Sequence, residues 1–338
     1  MTAAPVPVVD GIPYARVGRE ALAASVQARL DAGDVDGARV LLLGDGDDWW
    51  SSPPPPPEQL AQVVGAASLR EAMALLGLGR VGDYFAHRWS DPTYLSGLAL
   101  LQQHWPGDRP VVEIACGAGH FLRELVRRGV TDVVGVDVVW AKLWLAQRFV
   151  CPEARYVCAD VTALPSLDVP TPAYVLMHDA LYFVADKAAA ARGMRALAGP
   201  GGTIVVGHAH VTDQHGLPLP AEGWAELLQA DVLYDDDELT TALLAGRPPV
   251  SSRAQDLAGS EALAAVSGAL LTPCPADLGE PLGPLRLNPL YVDGALTWPS
   301  DRYAQEYGPR SHYLPLRAEP LPSDAARRRV LLDLPERW

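Results

Sequence analysis

Cysteine is scarce in this 338-residue chain. Cys116, Cys151, Cys158 and Cys274 form no Cys-x-x-Cys pair, and none has a histidine at zinc-ligand spacing. This excludes a disulfide framework and a sequence-encoded zinc site, and leaves reduced, mostly buried thiols. Cys116, inside a glycine turn, reads as a space-filler. Positive charge is also short, with 27 Lys and Arg against 41 Asp and Glu, a net charge of −14 and a pI near 4.9. Such a surface repels phosphate, so neither nucleic acid nor an anionic membrane is an expected partner. No apolar run approaches the roughly 18 residues that span a bilayer. The start, Met1-Thr-Ala-Ala-Pro-Val-Pro7, lacks the basic segment and long apolar core of a secretion signal. A cytoplasmic protein is expected. There is no internal repeat, and the length allows one large domain with additions or two modest ones.

The most informative stretch is Val111-Val-Glu-Ile-Ala-Cys-Gly-Ala-Gly-His-Phe121. An apolar strand enters a glycine-spaced turn, and a helical segment from Phe121 to Arg128 follows. Gly117 and Gly119 permit positive φ and let a ligand approach the bare backbone. That is the mark of a nucleotide-type ligand at the carboxyl end of a parallel strand. A dinucleotide fingerprint needs a third Gly or Ala three residues later, where helix and strand pack closely. Leu122 stands there instead. Glu113 at the strand end would repel a pyrophosphate but tolerates a ligand with an α-amino group. The turn thus argues against NAD and for a zwitterionic, sulfonium-bearing cofactor.

Further strands test this. Thr131–Asp137 ends in a carboxylate 18 residues beyond Gly119 (137 − 119), placed to accept hydrogen bonds from a ribose diol, with Val138 offering an apolar face to adenine. Ala154–Ala159 ends in Asp160-Val161, where an exocyclic amine can be read. Ala173–Met177 ends in His178-Asp179. Gly202–Val206 follows a helix that ends in Leu197-Ala-Gly-Pro-Gly-Gly202.

Over residues 105–210 the chain resembles the class I S-adenosylmethionine-dependent methyltransferases. Glu113-Ile-Ala-Cys-Gly-Ala-Gly119 is similar to their first motif, Gly135-Val-Asp137 to their ribose-binding acid, and Asp160-Val161 to their adenine-contacting pair. Met194–Gly202 is similar to the turn before their fifth strand, and Leu143 and Ala146 match their second helix. Val139, Trp140 and Lys142 depart from the pattern. The resemblance implies a doubly wound α/β fold, a mostly parallel seven-stranded sheet with a late antiparallel hairpin, plus an N-terminal helical region. It implies S-adenosylmethionine as cofactor and S-adenosylhomocysteine as product, held by Glu113, Ala115, Gly117, Gly119, Asp137, Val138, Asp160, Val161 and His178. Each residue also has a duller reading: a tight turn for the glycines, a helix N-cap for Asp137, a turn residue for Asp160. Their shared order and spacing favour the cofactor.

Residues 1–104 read as mostly helical, a lid, substrate or dimer-contact region, with a homodimer left open. Helices are expected at Arg19–Leu30, Asp34–Leu43, Glu58–Leu76 and Leu95–His104. Pro53–Pro57 reads as a polyproline II connector. Asp45, Asp47 and Asp48 before Trp49-Trp50 read as a solvated acidic turn. In Asp83-Tyr-Phe-Ala-His-Arg-Trp89, the aromatics Tyr84, His87 and Trp89 are candidates to cover the sulfonium, or to pack the helices on the sheet. Residues 105–338 form the methyltransferase domain, enlarged at about 211–285 to shape a substrate pocket. An acid-rich helical stretch through Trp224 and Asp235–Glu238, a helix near Ser260–Leu271, a hairpin at Leu287–Trp298 turning on Asp293-Gly294, and a basic helix from Arg327 complete it.

Methyl transfer is an in-line displacement in which alignment lowers the barrier by about 7–11 kcal/mol. A hydroxyl acceptor also needs a base, worth about 10²–10⁴-fold. His178, His208 and His210 lie at strand ends, with only one of the last two expected to face the pocket. Asp179 is placed to orient a base, and Tyr182 to bond the acceptor. The function expected is methylation of a small molecule, first at oxygen, secondary metabolism being one setting. The alternative is an S-adenosylmethionine-binding protein that transfers no methyl and acts as another catalyst, a regulator or a structural partner. No metal ligand set is identified.

Overall fold

The computed structural model describes residues 6–47, 53–212, 216–268, 270–278, 281, 283–320 and 329–338. Its centre is a seven-stranded sheet: β1 (Val111–Ile114), β2 (Val133–Asp137), β3 (Arg155–Cys158), β4 (Tyr174–His178), β5 (Thr203–His210), β6 (Val232–Asp235) and β7 (Ala262–Gly268). The spatial order is 3-2-1-4-5-7-6. β1 to β5 pair in parallel, while β7 runs antiparallel between β5 and β6. The chain order reverses beside β1, where β2 and β4 flank it, so a crevice opens at the carboxyl ends there.

The parallel strands are mostly apolar because helices cover both faces. Side chains alternate between two cores. Val111, Val133, Tyr174 and Val205 pack on one face, with Leu122 and Leu125 of α7 (His120–Arg127) and Trp140 and Leu143 of α8 (Trp140–Leu145). Val112, Val134, Val175 and Met177 pack on the other, with Met194 of α9 (Lys187–Ala198) and Trp224 of α10 (Ala221–Leu228). The first face also carries α6 (Pro92–His104), started by Asp91, whose carboxylate accepts from Tyr94 N, and α11 (Asp236–Ala245). Among the described residues no helix is long and apolar enough to cross a membrane.

The N-terminal part is helical, as expected: α1 (Glu20–Asp31), α2 (Val35–Leu43), α3 (Pro57–Val63), α4 (Leu69–Leu75) and α5 (Gly79–His87). The single helix expected at Glu58–Leu76 is broken in two. Ser68 caps the second piece by accepting from Glu71 N. Before α1, Ala15 N donates to Cys158 O, and Tyr14 bridges to β3. Asp45 is not a solvated acid. It accepts from Tyr14 Oη at 2.7 Å and pairs with Arg16 at 3.0 Å, pinning this strip to the turn. Asp48, Trp49 and Trp50 lie outside the described residues.

The C-terminal expectations need correction. The helix expected near Ser260–Leu271 is β7, and β6 stands beside the acidic run at Asp235–Glu238. Residues 211–285 therefore hold the two strands that finish the sheet. The hairpin on Asp293-Gly294 exists, with both φ values positive at 50° and 74° as its two-residue turn requires, but it is a separate ribbon of Tyr291–Val292 and Ala295–Leu296. It leads into α12 (Asp301–Tyr307). Of the basic helix expected from Arg327, residues 321–328 lie outside the described part.

Candidate active site

A cavity of about 1290 Å³ lies over the carboxyl ends of the parallel strands, with α5 and α12 on its far side. Its lining contains Glu113, Ala115, Gly117, Asp137, Val138, Asp160, Val161, His178, Tyr182, His208, His210 and Tyr84, all singled out from the sequence. Three expected residues do not reach it. Gly119, with φ 78°, serves packing: a Cβ there would come within 3.1 Å of Ala146. Trp89 packs its ring 4.3 Å from that of His120, behind the wall. His87 likewise packs with Tyr303 and Trp338 rather than lining the cavity.

At the cofactor end, Gly117 takes φ 53°, and a Cβ there would lie 2.9 Å from the Phe85 ring. Ala115 before it is left-handed at φ 56°, a conformation that costs a non-glycine residue energy and clusters at functional sites. Asp137 accepts from Gly117 N at 3.0 Å and Val139 N at 2.9 Å, so its two oxygens tie the first turn to the second. Each retains lone-pair capacity for a ribose hydroxyl. Asp160 accepts from Val17 N at 2.8 Å, which ties the N-terminal strip to the segment after β3. Glu113 is buried; burial pushes its carboxyl up to about 8, against the opposing pull of Arg88. Its Oε2 makes no hydrogen bond. Such an orphaned buried acceptor at a bare-backbone turn is what an ammonium-bearing ligand would satisfy. The cradle therefore fits a zwitterionic nucleoside.

Arg88 was not singled out as a site residue, although it sits inside the aromatic segment that was. Buried in the cavity wall, it stacks its guanidinium 4.3 Å from the Tyr84 ring centroid, with Nη1 3.5 Å from Asp179 Oδ2. Asp179 follows β4 in a left-handed conformation, φ 58°. Its oxygens accept from Tyr84 and Tyr182 hydroxyls, each at 2.6 Å. The aromatic segment thus does reach the cavity, through Tyr84 and Arg88 rather than through Trp89.

The three histidines differ. His178 Nε2 donates to the Thr93 carbonyl at 2.8 Å, and its ring lies across Gly207, where any Cβ would collide with Nδ1. Burial pushes its pKa down to about 4. His208 and His210 both line the cavity, with ring centroids 4.8 Å apart, against the expectation that only one would. Residues two apart on a strand share a face. A bulge between Val206 and Ala209 re-aims them further, with His208 at φ 49°. His208 Nδ1 donates to the buried carboxylate Asp236 Oδ2 at 2.9 Å. Asp236 also binds Arg310 at 2.5 Å. Burial opposes a charge on His208, but the Asp236 carboxylate outweighs it, and the imidazole pKa is raised. Burial likewise opposes a charge on Asp236, yet His208 and Arg310 hold it far below the usual carboxylate range. Neither partner was foreseen. Asp236 sits in an acidic run whose evident signal is a helix start, with Asp235 as its N-cap; Arg310 carries no local signal.

Residues 111–202 match a family model described as a methyltransferase domain. That match, the sheet order and the motif at Glu113–Gly119 define a class I S-adenosylmethionine-dependent methyltransferase domain, whose cofactor is S-adenosylmethionine. No curated protein matches the chain. Among solved structures, it is similar to the [4+2]-cyclase SpnF (20% identity, 41% of this chain and 57% of that one, TM-score 0.33). It is also similar to CalS10, an amino pentose methyltransferase from Micromonospora echinaspora (25% identity, 34% and 48%, TM-score 0.28). A methyltransferase from Thermotoga maritima, a possible histamine N-methyltransferase, gives 19% identity over 55% and 91%, with TM-score 0.40. The chain spans about half the length of the first two, and at these scores the likenesses carry no inference about substrate.

Proposed function

We propose that this protein transfers the methyl group of S-adenosylmethionine to a hydroxyl oxygen of a small molecule bound beside Asp179, His208 and His210. The observation that carries the reading is the His208–Asp236 pair. With Nδ1–H committed to Asp236, the ring in its deprotonated form presents its Nε2 lone pair to the cavity, 4.0 Å from Asp179 Oδ1. A lone pair aimed where an acceptor hydroxyl would sit is what O-methylation needs. S-Adenosylmethionine, when bound, supplies an electrophilic methyl group on a cationic sulfur.

The chain's own residues do the rest. Asp137 holds the ribose, Val138 and Val161 flank the adenine, Asp160 reads its amine, and Glu113 with the Gly117 turn takes the amino-acid end. Arg88 lies within reach of that end and steadies Asp179. Tyr84 and Tyr182, already fixed on Asp179, orient the acceptor, and His208 draws off its hydroxyl proton. His178 is a wall residue in this reading, its donor N–H spent on Thr93. The acidic balance favours small-molecule acceptors over nucleic acid.

The test is incubation of the purified full chain with methyl-labelled S-adenosylmethionine and extracts rich in small hydroxylated metabolites. Label in a small product whose new methyl is oxygen-bound supports the reading. Tight cofactor binding with no labelled product from any extract would favour a protein of the same fold that does not transfer methyl.

A further inference from the structure

We infer that Asp179, His208 and His210 form a binding site for a divalent transition-metal cation at the acceptor end of the cavity. One ligand atom from each lies within 4.8 Å of the others. His208 Nε2 stands 4.0 Å from Asp179 Oδ1. Metal–ligand bonds of about 2.0–2.2 Å separate neighbouring ligands by roughly 3–3.4 Å. The donors, now within 4.8 Å of one another, would have to draw together by side-chain rotation to reach that spacing.

Three features show a site that is built. First, His208 has its tautomer set: Nδ1–H donates to Asp236, so Nε2 carries the lone pair. A carboxylate behind a ligating imidazole is the arrangement that fixes the ring and raises its basicity. Asp236 is itself anchored by Arg310. Second, Asp179 is held by two tyrosine hydroxyls, one on each oxygen, which still leaves lone pairs for a cation. Third, the donors come from the ends of β4 and β5, neighbouring strands of one sheet, and two of them occupy left-handed backbone conformations at φ 58° and 49°. Backbone strain at two of the three donor positions is unlike incidental histidine clustering.

Two imidazoles and one carboxylate suit zinc, cobalt, nickel or iron, and suit poorly magnesium or calcium, which take oxygen ligands. Remaining coordination positions face the cavity, where a hydroxylated acceptor could supply one or two oxygens. This deepens the reading above and rests on it only for what meets the cation. Were the cation bound, His208 Nε2 would be its ligand in place of the base proposed above, and an acceptor hydroxyl would meet the cation instead.

The test is titration of the purified full chain with Co²⁺, followed by its visible absorption bands, and with Zn²⁺ by calorimetry. One Co²⁺ per chain is expected, with bands that Zn²⁺ abolishes. His208→Ala and His210→Gln should each remove the bands. Asp236→Asn, at a residue that is not itself a metal ligand, should weaken binding by about 10–100-fold; a histidine binding metal adventitiously would be indifferent to it. Circular dichroism of each variant checks the fold, and His210→Gln, which leaves the Asp236 pair intact, guards against a misfolded Asp236 variant. Absence of Co²⁺ binding to wild type, or unchanged bands in both histidine variants, would overturn the site. Cofactor affinity measured on the same samples keeps the two proposals apart: metal bound without S-adenosylmethionine binding sinks the methyl-transfer reading alone.

Discussion

Leu122 of α7 lies directly over Gly135 of β2, and a Cβ on Gly135 would come within 2.7 Å of the Leu122 side chain. The same missing Cβ would also press on Cys116 Sγ and the Tyr156 ring, at 2.8 and 2.9 Å. Dinucleotide folds place a small residue on the helix for close packing. Here the helix keeps a leucine and the facing strand gives up its side chain. Gly135→Ala overpacks this junction, and overpacking costs about 1–3 kcal/mol. Urea denaturation should show a loss of that size with unchanged slope; a loss under half a kilocalorie would mean that α7 shifts freely.

Asp137 fastens two turns, and the ribose contact proposed for it has to be separated from that role. Asp137→Ala removes acceptors from Gly117 N and Val139 N as well as from a ribose. A buried donor left unsatisfied costs about 1–3 kcal/mol. Stability should fall by that order, and affinity for S-adenosylmethionine by about 10–150-fold, from 1.5–3 kcal/mol for hydrogen bonds to a charged acceptor. Calorimetry at a temperature where the variant stays folded reads the second effect. Unchanged affinity would remove the ribose assignment and leave Asp137 a turn fastener.

Glu113 makes stability depend on pH. Burial raises its folded pKa from 4.5 to about 8. Between those values the folded chain holds a proton that the unfolded chain has released, so this group's contribution falls as pH rises through that window. Glu113→Gln removes the titration. Its thermal midpoint should change less between pH 5 and 8.5 than the wild-type midpoint does, and should exceed it at the alkaline end. Parallel profiles for the two proteins would show that Glu113 is already ionised in the fold.

Much of this was legible in the sequence for one physical reason. β1, β2, β4 and β5 are buried on both faces, so they appear as mostly apolar, valine-rich stretches that end near Gly, Asp or His. β7 is Ala262-Leu-Ala-Ala-Val-Ser-Gly268, and alanine favours helix locally. Its strand form comes from pairing with β5 and β6, which single-chain periodicity does not carry. β6 is four residues long and runs straight into an acid-rich helix start. With both strands missed, Asp236 could not be placed beside His208, although each lay in a segment already noticed. The residues proposed for the cofactor lie mostly between 113 and 161 at strand ends, and apart from Gly119 those of this stretch line one cavity. The acceptor end joins residues 84, 88, 179, 208, 236 and 310 through tertiary packing, which no spacing encodes.

The histidines are separable by kinetics. If His208 takes the acceptor proton, or lends its lone pair to a cation that binds the acceptor, His208→Ala should slow single-turnover methyl transfer at saturating cofactor by about 10²–10⁴-fold. His178→Gln keeps a polar side chain able to donate to Thr93 O, and it disturbs packing against Gly207 and Phe121. Its rate should fall by less than tenfold, with most of the damage in thermal stability. The rate at saturating cofactor distinguishes a reacting group from a wall. A large loss at His178 with little at His208 would reverse the two roles, because the wall residue would then be supplying the lone pair, and the Asp236 pairing would be structural only.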